Sequence, residues 1–414
     1  MCRMKEIHKA YKYRLYPTKE QTILLNKHIG CCRFIYNYFL DLKKTEYETA
    51  NKNLSRFDMQ KLLTSLKKDI NYNWLPEVNS QSLQCALQNL DSAYLRFFKK
   101  ISQFPRFKSK RNGGSFKIPF QLIRKQYHTI YTKNNIAYLP KFKEGIKFDN
   151  HRPINGKIIS ISISKTPTGK FYISFTCKTS IKQLEQRTES IGIDLGLKTF
   201  AVTNDNETVD NPKFLRKKLK KIKYLSKQHS KKQSKSSNKE KARLKLAKQY
   251  EKVTNQRTNF LHQTSKKLIN ENQVICLEDL AVKNMMQNHN LALSISDVSW
   301  SKFVNQLCYK ADWYGRQIVF INRFYPSSKT CNNCGWINQD LTLDIREWTC
   351  PNCNIKHDRN LNAAINIHNV GMNWFNQETK NKTVSGTDSV FKQKPPKALS
   401  VDKSMKVEAM SFRS

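Results

Sequence analysis

The stretch SIGIDLG at residues 190–196 is a short, mostly apolar segment that carries one carboxylate, Asp194, near its end. A second segment, VICLEDL at residues 274–280, is apolar in the same way and carries Glu278. Short apolar runs of this kind are typical of strands buried on both faces of a sheet. Because helical spacing of apolar residues separates and follows these strands, the second half of the chain is predicted to have an α/β fold.

The two carboxylates, together with a polar motif at the start of the last helix, DRNLNAA at residues 358–364, indicate a catalytic site. Taken singly, an acid at a strand end is often only a helix cap. Two carboxylates brought together repel each other and lose hydration unless a cation bridges them. Hard oxygen ligands suit Mg²⁺ or Mn²⁺, and two such ions about 3.5–4 Å apart would favour phosphodiester hydrolysis.

Four of the eleven cysteines follow the spacing C-x2-C-x15-C-x2-C, which is the spacing of a tetrahedral zinc site. Four thiolates fill the coordination shell, so one structural Zn²⁺ is expected rather than a catalytic one. The adjacent His357 is interpreted as a surface or helix-start histidine, and Trp336 and Trp348 as packing residues of the small ribbon core. The predicted ligands are Cys331, Cys334, Cys350 and Cys353.

The net charge of +42, from 74 Lys and Arg against 32 Asp and Glu, indicates a polyanionic partner, and nucleic acid is the leading candidate. A ribosomal-type or merely soluble basic protein is the alternative that charge alone leaves open. No apolar run approaches the roughly 18 residues of a membrane span, and the start lacks a signal-like apolar stretch. A cytoplasmic protein without a membrane partner is therefore expected.

Two basic segments are candidate nucleic-acid contacts. Residues 213–248 contain sixteen Lys or Arg and one acid at helical spacing, and a solvated basic helix is the alternative interpretation. Residues 104–111 interleave aromatic and basic side chains, and packing of Phe104 and Phe107 in the core is the alternative there. The candidate contact residues are Lys217, Lys218, Lys220 and Lys221 in the first segment, and Arg106, Lys108, Lys110 and Arg111 in the second.

The first half of the chain combines strands with a helical block. Residues 10–17 alternate as a strand, and residues 158–164 and 171–175 read as a hairpin around a Pro-Thr-Gly turn. Because a lone hairpin is unstable in water, it is predicted to pair with further strands, including the N-terminal one. The helical patterns near 56–68 and 80–100 would then belong to an insertion in a β domain.

These motifs resemble those of the TnpB proteins, which are transposon-encoded, RNA-guided endonucleases with a RuvC-like nuclease domain and are related to type V CRISPR effectors. The resemblance rests on residues 191–198, 277–280 and 357–367, on the cysteine ribbon, and on residues 13–18, 30–37 and 104–108. It implies an α/β RNase H-like (RuvC) domain with an inserted zinc ribbon, plus an N-terminal wedge-like β-barrel domain interrupted by a helical recognition domain.

The expected boundaries follow from this resemblance and from the patterns above. The wedge-like β domain is assigned residues 1–18 and 104–181, the helical recognition domain 19–103, the RuvC-like domain 188–326 and 355–370, and the zinc ribbon 327–354, with a disordered tail over 371–414.

The resemblance also implies function: a guide RNA, a matched double-stranded DNA target, and cleavage with Asp194 and Glu278 as metal ligands. The family's third motif usually has a second Asp where this chain has Asn360, and Asp358 lies two residues earlier as a possible substitute. Loss of that carboxylate leaves an alternative, a nuclease-deficient RNA-guided DNA-binding protein that acts as a repressor. A monomeric ribonucleoprotein associated with a bacterial nucleoid is expected in either case.

Overall fold

The computed structural model describes residues 4–110, 113–123, 127–342 and 344–383. The chain divides into one compact unit of Glu6–Ser180 and a second unit formed by Met1–Lys5 and Ile181–Ser414. Among the helices within the described ranges, none is long and apolar enough to cross a membrane.

The strands of the first unit are β1 Met4–Tyr16, β2 Gly114–Pro119, β3 Leu122–Ile123, β4 Tyr127–His128, β5 Tyr131–Lys133, β6 Ile136–Leu139, β7 Phe142–Phe148, β8 Lys157–Lys165 and β9 Phe171–Lys182. Its helices are α1 Lys19–Ala50, α2 Arg56–Leu66 and α3 Ser80–Phe98. The second unit contains strands β10 Ser190–Leu195, β11 Thr199–Thr203, β12 Thr208–Asp210, β13 Val274–Glu278, β14 Gln317–Ile321, β15 Glu347–Thr349 and β16 Lys356–Asp358. Its helices are α4 Phe214–Ser230, α5 Ser237–Glu271, α6 Val282–Met285, α7 His289–Val298, α8 Trp300–Tyr314 and α9 Arg359–Thr383.

Seven strands of the first unit form one sheet in the order β2-β8-β9-β1-β7-β6-β5. Strands β8 and β9 are the predicted hairpin, and β1 lies next to β9, so the predicted pairing of the N-terminal strand with this hairpin is confirmed. Helices α1 to α3 occupy the sequence between β1 and β2 and share the core of this sheet. Local signals start them: Thr18 and Gln21 form a capping box at α1, and Ser55 and Asp58 form another at α2.

The second unit is built on a five-stranded sheet in the order β12-β11-β10-β13-β14. Strands β10, β13 and β14 are parallel, and their apolar sequences are buried, as predicted. Side chains alternate between the two faces. Ile191 and Ile193 of β10 face one core, which also contains Leu261 of α5 and Phe303 of α8. Helix α9 packs on the opposite face, where Cys276 and Ile367 belong to a separate cluster.

Helix α9 lies very close to the sheet because glycines occupy the contact points. A Cβ atom built on Gly192 would lie 2.5 Å from the Ala364 carbonyl oxygen and 2.6 Å from the His368 nitrogen. One built on Gly371 would lie 2.5 Å from the Cys276 sulfur. Any larger residue at these positions would push the helix away from the strands.

The predicted disordered tail is wrong for residues 371–383, which continue α9 to Thr383. Gly371 is not a helix end but a close-packing position on Cys276, and Val370, Trp374 and Phe375 pack against the cluster on that face. The apolar contacts of the sheet override the weak helical pattern of this polar segment. Residues 384–414 of the predicted tail lie outside the described residues.

The basic segment 213–248 forms parts of two packed helices rather than one, α4 and the first half of α5, joined at residues 231–236. Helix α4 has no side-chain cap of its own. Instead the buried carboxylate of Asp297 accepts hydrogen bonds from the backbone nitrogens of Leu215 and Arg216 at 3.0–3.1 Å and pairs with Arg257 at 3.1 Å. This contact from α7 fixes the start of a helix whose own charges repel one another.

Replacing Gly192 with Ala is expected to destabilise the protein by about 1–3 kcal/mol, because the new methyl group overlaps backbone atoms that cannot move aside. Gly30 in α1 is a matched control, since a Cβ atom there meets nothing within 4 Å. Gly30→Ala should stabilise by about 0.5–1 kcal/mol through helix propensity. Denaturant unfolding of both variants measures this, and a Gly192→Ala protein as stable as the wild type would contradict the close packing of α9.

Candidate active site

The register of the parallel strands brings the two predicted carboxylates together. Ile193 of β10 is paired with Leu277 of β13, so the next position along both strands pairs Asp194 with Glu278. Neighbouring strands are about 4.8 Å apart, and paired residues of parallel strands share a face. Both side chains therefore lie on the face that α9 covers, at the carboxyl ends of their strands.

The start of α9 lies at the same edge of the sheet. Helix α9 runs antiparallel to β10, because Gly192 contacts Ala364 and His368 while the earlier residue Ser190 is hydrogen-bonded to His368 Nε2 at 2.8 Å. Asn360, one helical turn before Ala364, is therefore on the same helix face and at the level of Asp194. This helix geometry predicts that the aligned position of the third motif lies near the two carboxylates.

Asp358, the predicted substitute ligand, is the N-cap of α9. Its Oδ1 accepts hydrogen bonds from the backbone nitrogens of Asn360 and Leu361, both at 2.9 Å. The carboxylate is exposed and close enough to Asp194 to raise the pKa of that residue. Asp358 is therefore at the site, but one of its oxygens is already engaged in holding the helix.

The electrostatics of the site disfavour two free carboxylates. Burial raises the pKa of Asp194 to about 7, and the negative charges of Glu278 and Asp358 act in the same direction. The positive charges of Arg359 and Arg346 oppose this rise in pKa. A bound cation would relieve the repulsion, which is the physical condition that a metal site of this type requires.

Sequence reasoning missed the residues that orient Glu278. Ser327 Oγ donates a hydrogen bond to Glu278 Oε1. The Ser327 carbonyl in turn accepts from Asn366 Nδ2 at 2.8 Å, and the buried Asn362 accepts from the Asn332 backbone nitrogen at 3.0 Å. Asn362 and Asn366 are one helical turn apart on a buried face of α9. Two Asn residues at this helical spacing were the sequence signal that could have identified the hydrogen-bonded group around Glu278. Glu278, α9 and the cysteine ribbon are thus connected by hydrogen bonds.

The four predicted cysteine ligands converge. Their sulfur atoms all lie within 4.8 Å of one another, with Cys331–Cys353 and Cys334–Cys350 separations of 3.6 Å. A tetrahedral zinc thiolate site with Zn–S bonds of about 2.3 Å has S–S separations of about 3.8 Å, so the cluster fits this metal.

The surroundings of the cysteines correct one expectation. Of the two interpretations of His357, a surface residue is wrong, since it is 6% exposed with its Nε2 3.1 Å from Cys331 Sγ, whereas a helix-start position agrees with its place in β16, two residues before α9. It is buried because its ring packs 4.8 Å from that of Trp348, and the cysteine sulfur gives its ring nitrogen a polar partner. The packing of Trp336 and Trp348 in the ribbon core is confirmed.

The predicted nucleic-acid contacts lie in both units. Lys217, Lys220 and Lys221 are exposed on α4, and Lys218 is half-buried. Arg106, Lys108 and Lys110 lie in the loop after α3, whereas Arg111 lies outside the described residues. The alternative of core packing is wrong for this loop, since Phe104 and Phe107 are 43% and 58% exposed. Phe104 contacts the rings of Tyr94 and Phe97 only edge-on, at centroid distances of 5.5 and 5.4 Å, and much of its surface stays in solvent.

Comparisons with known protein families give three matches. Residues 172–289 match the OrfB_IS605 family, described as a probable transposase, and residues 300–367 match the Cas12f1-like TNB domain. Residues 4–52 match a family described as a helix-turn-helix domain. In this chain that last range consists of strand β1 and the single long helix α1.

Two curated relatives and one solved structure extend over most of the chain. A protein of Streptomyces pristinaespiralis named "Putative RNA-guided DNA endonuclease" is 34% identical, covering 89% of this chain and 90% of its own length. A TnpB-like protein of Acanthamoeba polyphaga mimivirus is 27% identical over 89% of this chain and 74% of its own. A Cas12f1 chain, solved with guide RNA and target DNA, aligns with a TM-score of 0.54 at 15% identity, covering 88% of this chain and 99% of that chain.

The structural likeness shows that this chain shares the mixed α/β fold of the Cas12f1 chain. The sequence likeness goes further, because it extends over nearly the whole of a relative at 34% identity. The chain belongs to the TnpB family, as the motifs of the sequence indicate.

The raised pKa of Asp194 has a testable consequence for the metal-free protein. In the unfolded chain an Asp titrates near 3.9, so the unfolded state releases this proton before the folded state does, and stability falls as pH rises from about 4 to about 7. Asp194→Asn should therefore raise the unfolding midpoint in EDTA at about pH 8, and the gain should shrink toward about pH 4.

Thermal unfolding across this pH range measures the effect. The exposed Asp210 on the edge strand β12 serves as control, and Asp210→Asn should change the midpoint little at any pH. A gain for Asp194→Asn that is the same at both ends of the range would contradict the burial and repulsion inferred for Asp194.

Proposed function

We propose that this protein is an RNA-guided DNA endonuclease of an insertion-sequence transposon, which binds a guide RNA and hydrolyses phosphodiester bonds of matched DNA. The observation that carries the proposal is the parallel register of β10 and β13, which pairs Ile193 with Leu277 directly before Asp194 and Glu278, together with the effect of the Glu278 charge on Asp194. The names of the curated relatives point to the same activity and do not favour the alternative of a guided repressor without cleavage.

The finer architecture is part of the proposal. The five-stranded sheet with α9 on one face and α5 and α8 on the other is consistent with an RNase H-like domain of the RuvC type. The seven-stranded sheet with its helical insertion is consistent with a wedge-like β barrel and a recognition domain. On this view the catalytic domain is interrupted by the cysteine ribbon and continues in α9.

Asp194 and Glu278 are proposed as ligands of Mg²⁺ or Mn²⁺, with two ions bound in the active complex. Such ions supply charge neutralisation and activation of a water for attack on phosphorus. The protein's own residues hold this arrangement: Ser327 orients the Glu278 carboxylate, and the contact of Gly192 with Ala364 fixes the height of α9 above Asp194. Arg359 and Arg346, whose charges reach Asp194, are placed to attract the phosphate backbone.

The third ligand position is assigned to Asn360, with Asp358 beside it. An amide oxygen can ligate a hard cation but adds no negative charge, so metal binding is expected to be weaker than with an Asp there. The negative charge of Asp358 still acts on the site while its Oδ1 caps the helix. Asp358 can thus compensate electrostatically without leaving its capping position.

Nucleic acid is proposed to contact the exposed lysines of α4 and the basic loop after α3. A net charge of +42 requires a large polyanion, and a guide RNA with a target duplex supplies one. In such an assembly base pairing reads the sequence while the protein reads the backbone and the shape of the heteroduplex. We further propose a monomeric ribonucleoprotein that acts on DNA in the bacterial nucleoid.

Variants of the third motif test the proposed chemistry. With a guide RNA from the flanking element, cleavage of a matched plasmid in Mg²⁺ or Mn²⁺ is expected for the wild type and not for Asp194→Ala. Asn360→Asp should cleave faster, by about tenfold or more, since it restores a charged ligand. Asp358→Asn keeps the capping oxygen and removes only the charge, whereas Asp358→Ala also removes the cap, at a cost of about 1 kcal/mol in stability.

These variants separate the roles of Asp358. If its charge serves the site, Asp358→Asn slows cleavage although stability is kept. If it only caps α9, Asp358→Asn cleaves as the wild type does. A wild-type complex that binds its target and leaves it uncut in both metals would refute the endonuclease proposal, and cleavage gained by Asn360→Asp in that case would identify the missing carboxylate as the cause.

The cysteine cluster is proposed to bind one structural Zn²⁺. Cys334→Ser should lose the metal and, because Asn332 and Ser327 connect the ribbon to α9 and Glu278, should also lower the unfolding midpoint of the second unit. Cys308→Ser, in α8 and outside the cluster, is the control and should keep one zinc per chain. Measuring the zinc content of the purified proteins tests this prediction. Full zinc content in Cys334→Ser would contradict the assignment of the cysteine cluster as the zinc site.

A further inference from the structure

His357 makes a contact with the cysteine cluster that the proposed active site does not use. Its Nε2 lies 3.1 Å from Cys331 Sγ, and the two residues are 6% and 1% exposed. The ring of Trp348 lies 4.8 Å from the imidazole, and Trp348 and His357 are paired across β15 and β16. Strand pairing and ring packing therefore hold the imidazole in place beside the sulfur.

The distance indicates a hydrogen bond rather than coordination of a metal by His357. A Zn–S bond of about 2.3 Å and a Zn–N bond of about 2.0–2.1 Å at the tetrahedral angle would place the two ligand atoms about 3.6 Å apart. The distance between Nε2 and Cys331 Sγ is shorter than this. In the described part of the chain, the ligand atoms that all lie within 4.8 Å of one another are the four cysteine sulfurs.

The charge of the filled cluster explains why Cys331 needs a hydrogen-bond donor. Four thiolates around one Zn²⁺ leave an excess of two negative charges. A buried charge is costly unless it accepts hydrogen bonds. Cys334 is exposed and water can hydrate its sulfur, whereas Cys331 is buried and depends on donors of the protein.

His357 can be that donor only through its Nε2 proton. A metal-bound thiolate has no hydrogen of its own, so the hydrogen in this contact must come from the imidazole. Residues that hydrogen-bond to metal ligands fix the orientation of those ligands, and their loss typically lowers metal affinity by about 10–100-fold.

His357 also directly precedes the third motif. The next residue, Asp358, ends β16, and its Oδ1 accepts hydrogen bonds from the backbone nitrogens of Asn360 and Leu361 at the start of α9. The same strand is thus attached to the cysteine cluster by His357 and to α9 by Asp358. A contact that holds His357 at the cluster also restrains the residue that caps α9.

We propose that His357 is a positioning residue of the zinc site, whose Nε2–H donates to the Cys331 thiolate, stabilises the bound metal and restrains Asp358 at the start of α9. The proposal rests on the zinc binding of the proposed function but not on cleavage.

The zinc affinity of the full-length protein tests the proposed hydrogen bond. His357→Phe keeps an aromatic ring beside Trp348 but has no donor, so its affinity should fall by about tenfold or more in competition with a chromophoric chelator. His357→Gln carries a side-chain amide that can donate to the sulfur, and it should regain most of the affinity. His289→Phe, exposed on α7, is the control and should bind zinc as the wild type does.

Replacing zinc with Co²⁺ separates the hydrogen bond from ring packing. The absorption band of charge transfer from sulfur to cobalt depends on the energy of the sulfur lone pairs, which a hydrogen bond lowers. The band should therefore move to longer wavelength in His357→Phe and stay near its wild-type position in His357→Gln. Should His357→Phe fail to fold, His357→Leu, which is smaller and also lacks a donor, takes its place in both measurements.

Hydrogen exchange of the backbone amides tests the restraint on Asp358. The amides of Asn360 and Leu361, which donate to Asp358, should exchange faster in zinc-loaded His357→Phe than in the zinc-loaded wild type. The amide of Gln21, which donates to Thr18 at the start of α1, is the control and should exchange equally in both proteins.

The proposal is wrong if His357→Phe binds zinc as tightly as the wild type, if His357→Gln is as weak as His357→Phe, or if the cobalt band does not move. Equal exchange at Asn360 and Leu361 would refute the restraint on Asp358. A wild type that holds one zinc leaves the zinc assignment in place in each case, and its cleavage activity is judged separately. A wild type that binds no zinc would refute that assignment and this proposal together.

Discussion

The close packing of α9 on strand β10 is the constraint on which the candidate active site depends. Because Gly192 has no Cβ atom, the Ala364 carbonyl and the His368 backbone nitrogen can lie in the space that a Cβ atom would fill. The hydrogen bond between Ser190 and His368 fixes the direction of the helix. The height and direction of α9 bring its first turn to Asp194. A larger residue at position 192 would shift the helix and separate the parts of the site.

Charge is distributed unevenly over this molecule, and both extremes require a partner. At the carboxyl ends of β10 and β13, burial and the negative charge of Glu278 raise the pKa of Asp194, which favours a cation there. Elsewhere the basic residues dominate, and the buried Asp297 of α7 caps the start of α4. The proposed divalent cations and the backbone of a nucleic acid would neutralise these two excesses of charge.

Much of the fold and part of the candidate site could be predicted from the sequence, because strong local patterns determine them. Apolar strands, the hairpin, the helices of the first unit and the cysteine spacing are local features, and the structure reproduces them. The predictions that failed depended on distant contacts. The disordered tail was wrong because Gly371 packs on Cys276, and the surface histidine was wrong because His357 is buried against Cys331 and Trp348.

The sequence by itself determined which groups are available: two carboxylates at strand ends, an Asn in the third motif, four thiols at zinc spacing and a large positive charge. Only the tertiary structure decided how they are combined. The register of β10 and β13 pairs the residues directly before Asp194 and Glu278, the packing of α9 on Gly192 sets the position of its first turn, and Asp358 caps α9. The type of a residue determines the chemistry of its own side chain. The distance between two residues that are remote in sequence is instead set by the pairing of strands and by the space that side chains leave between packed elements.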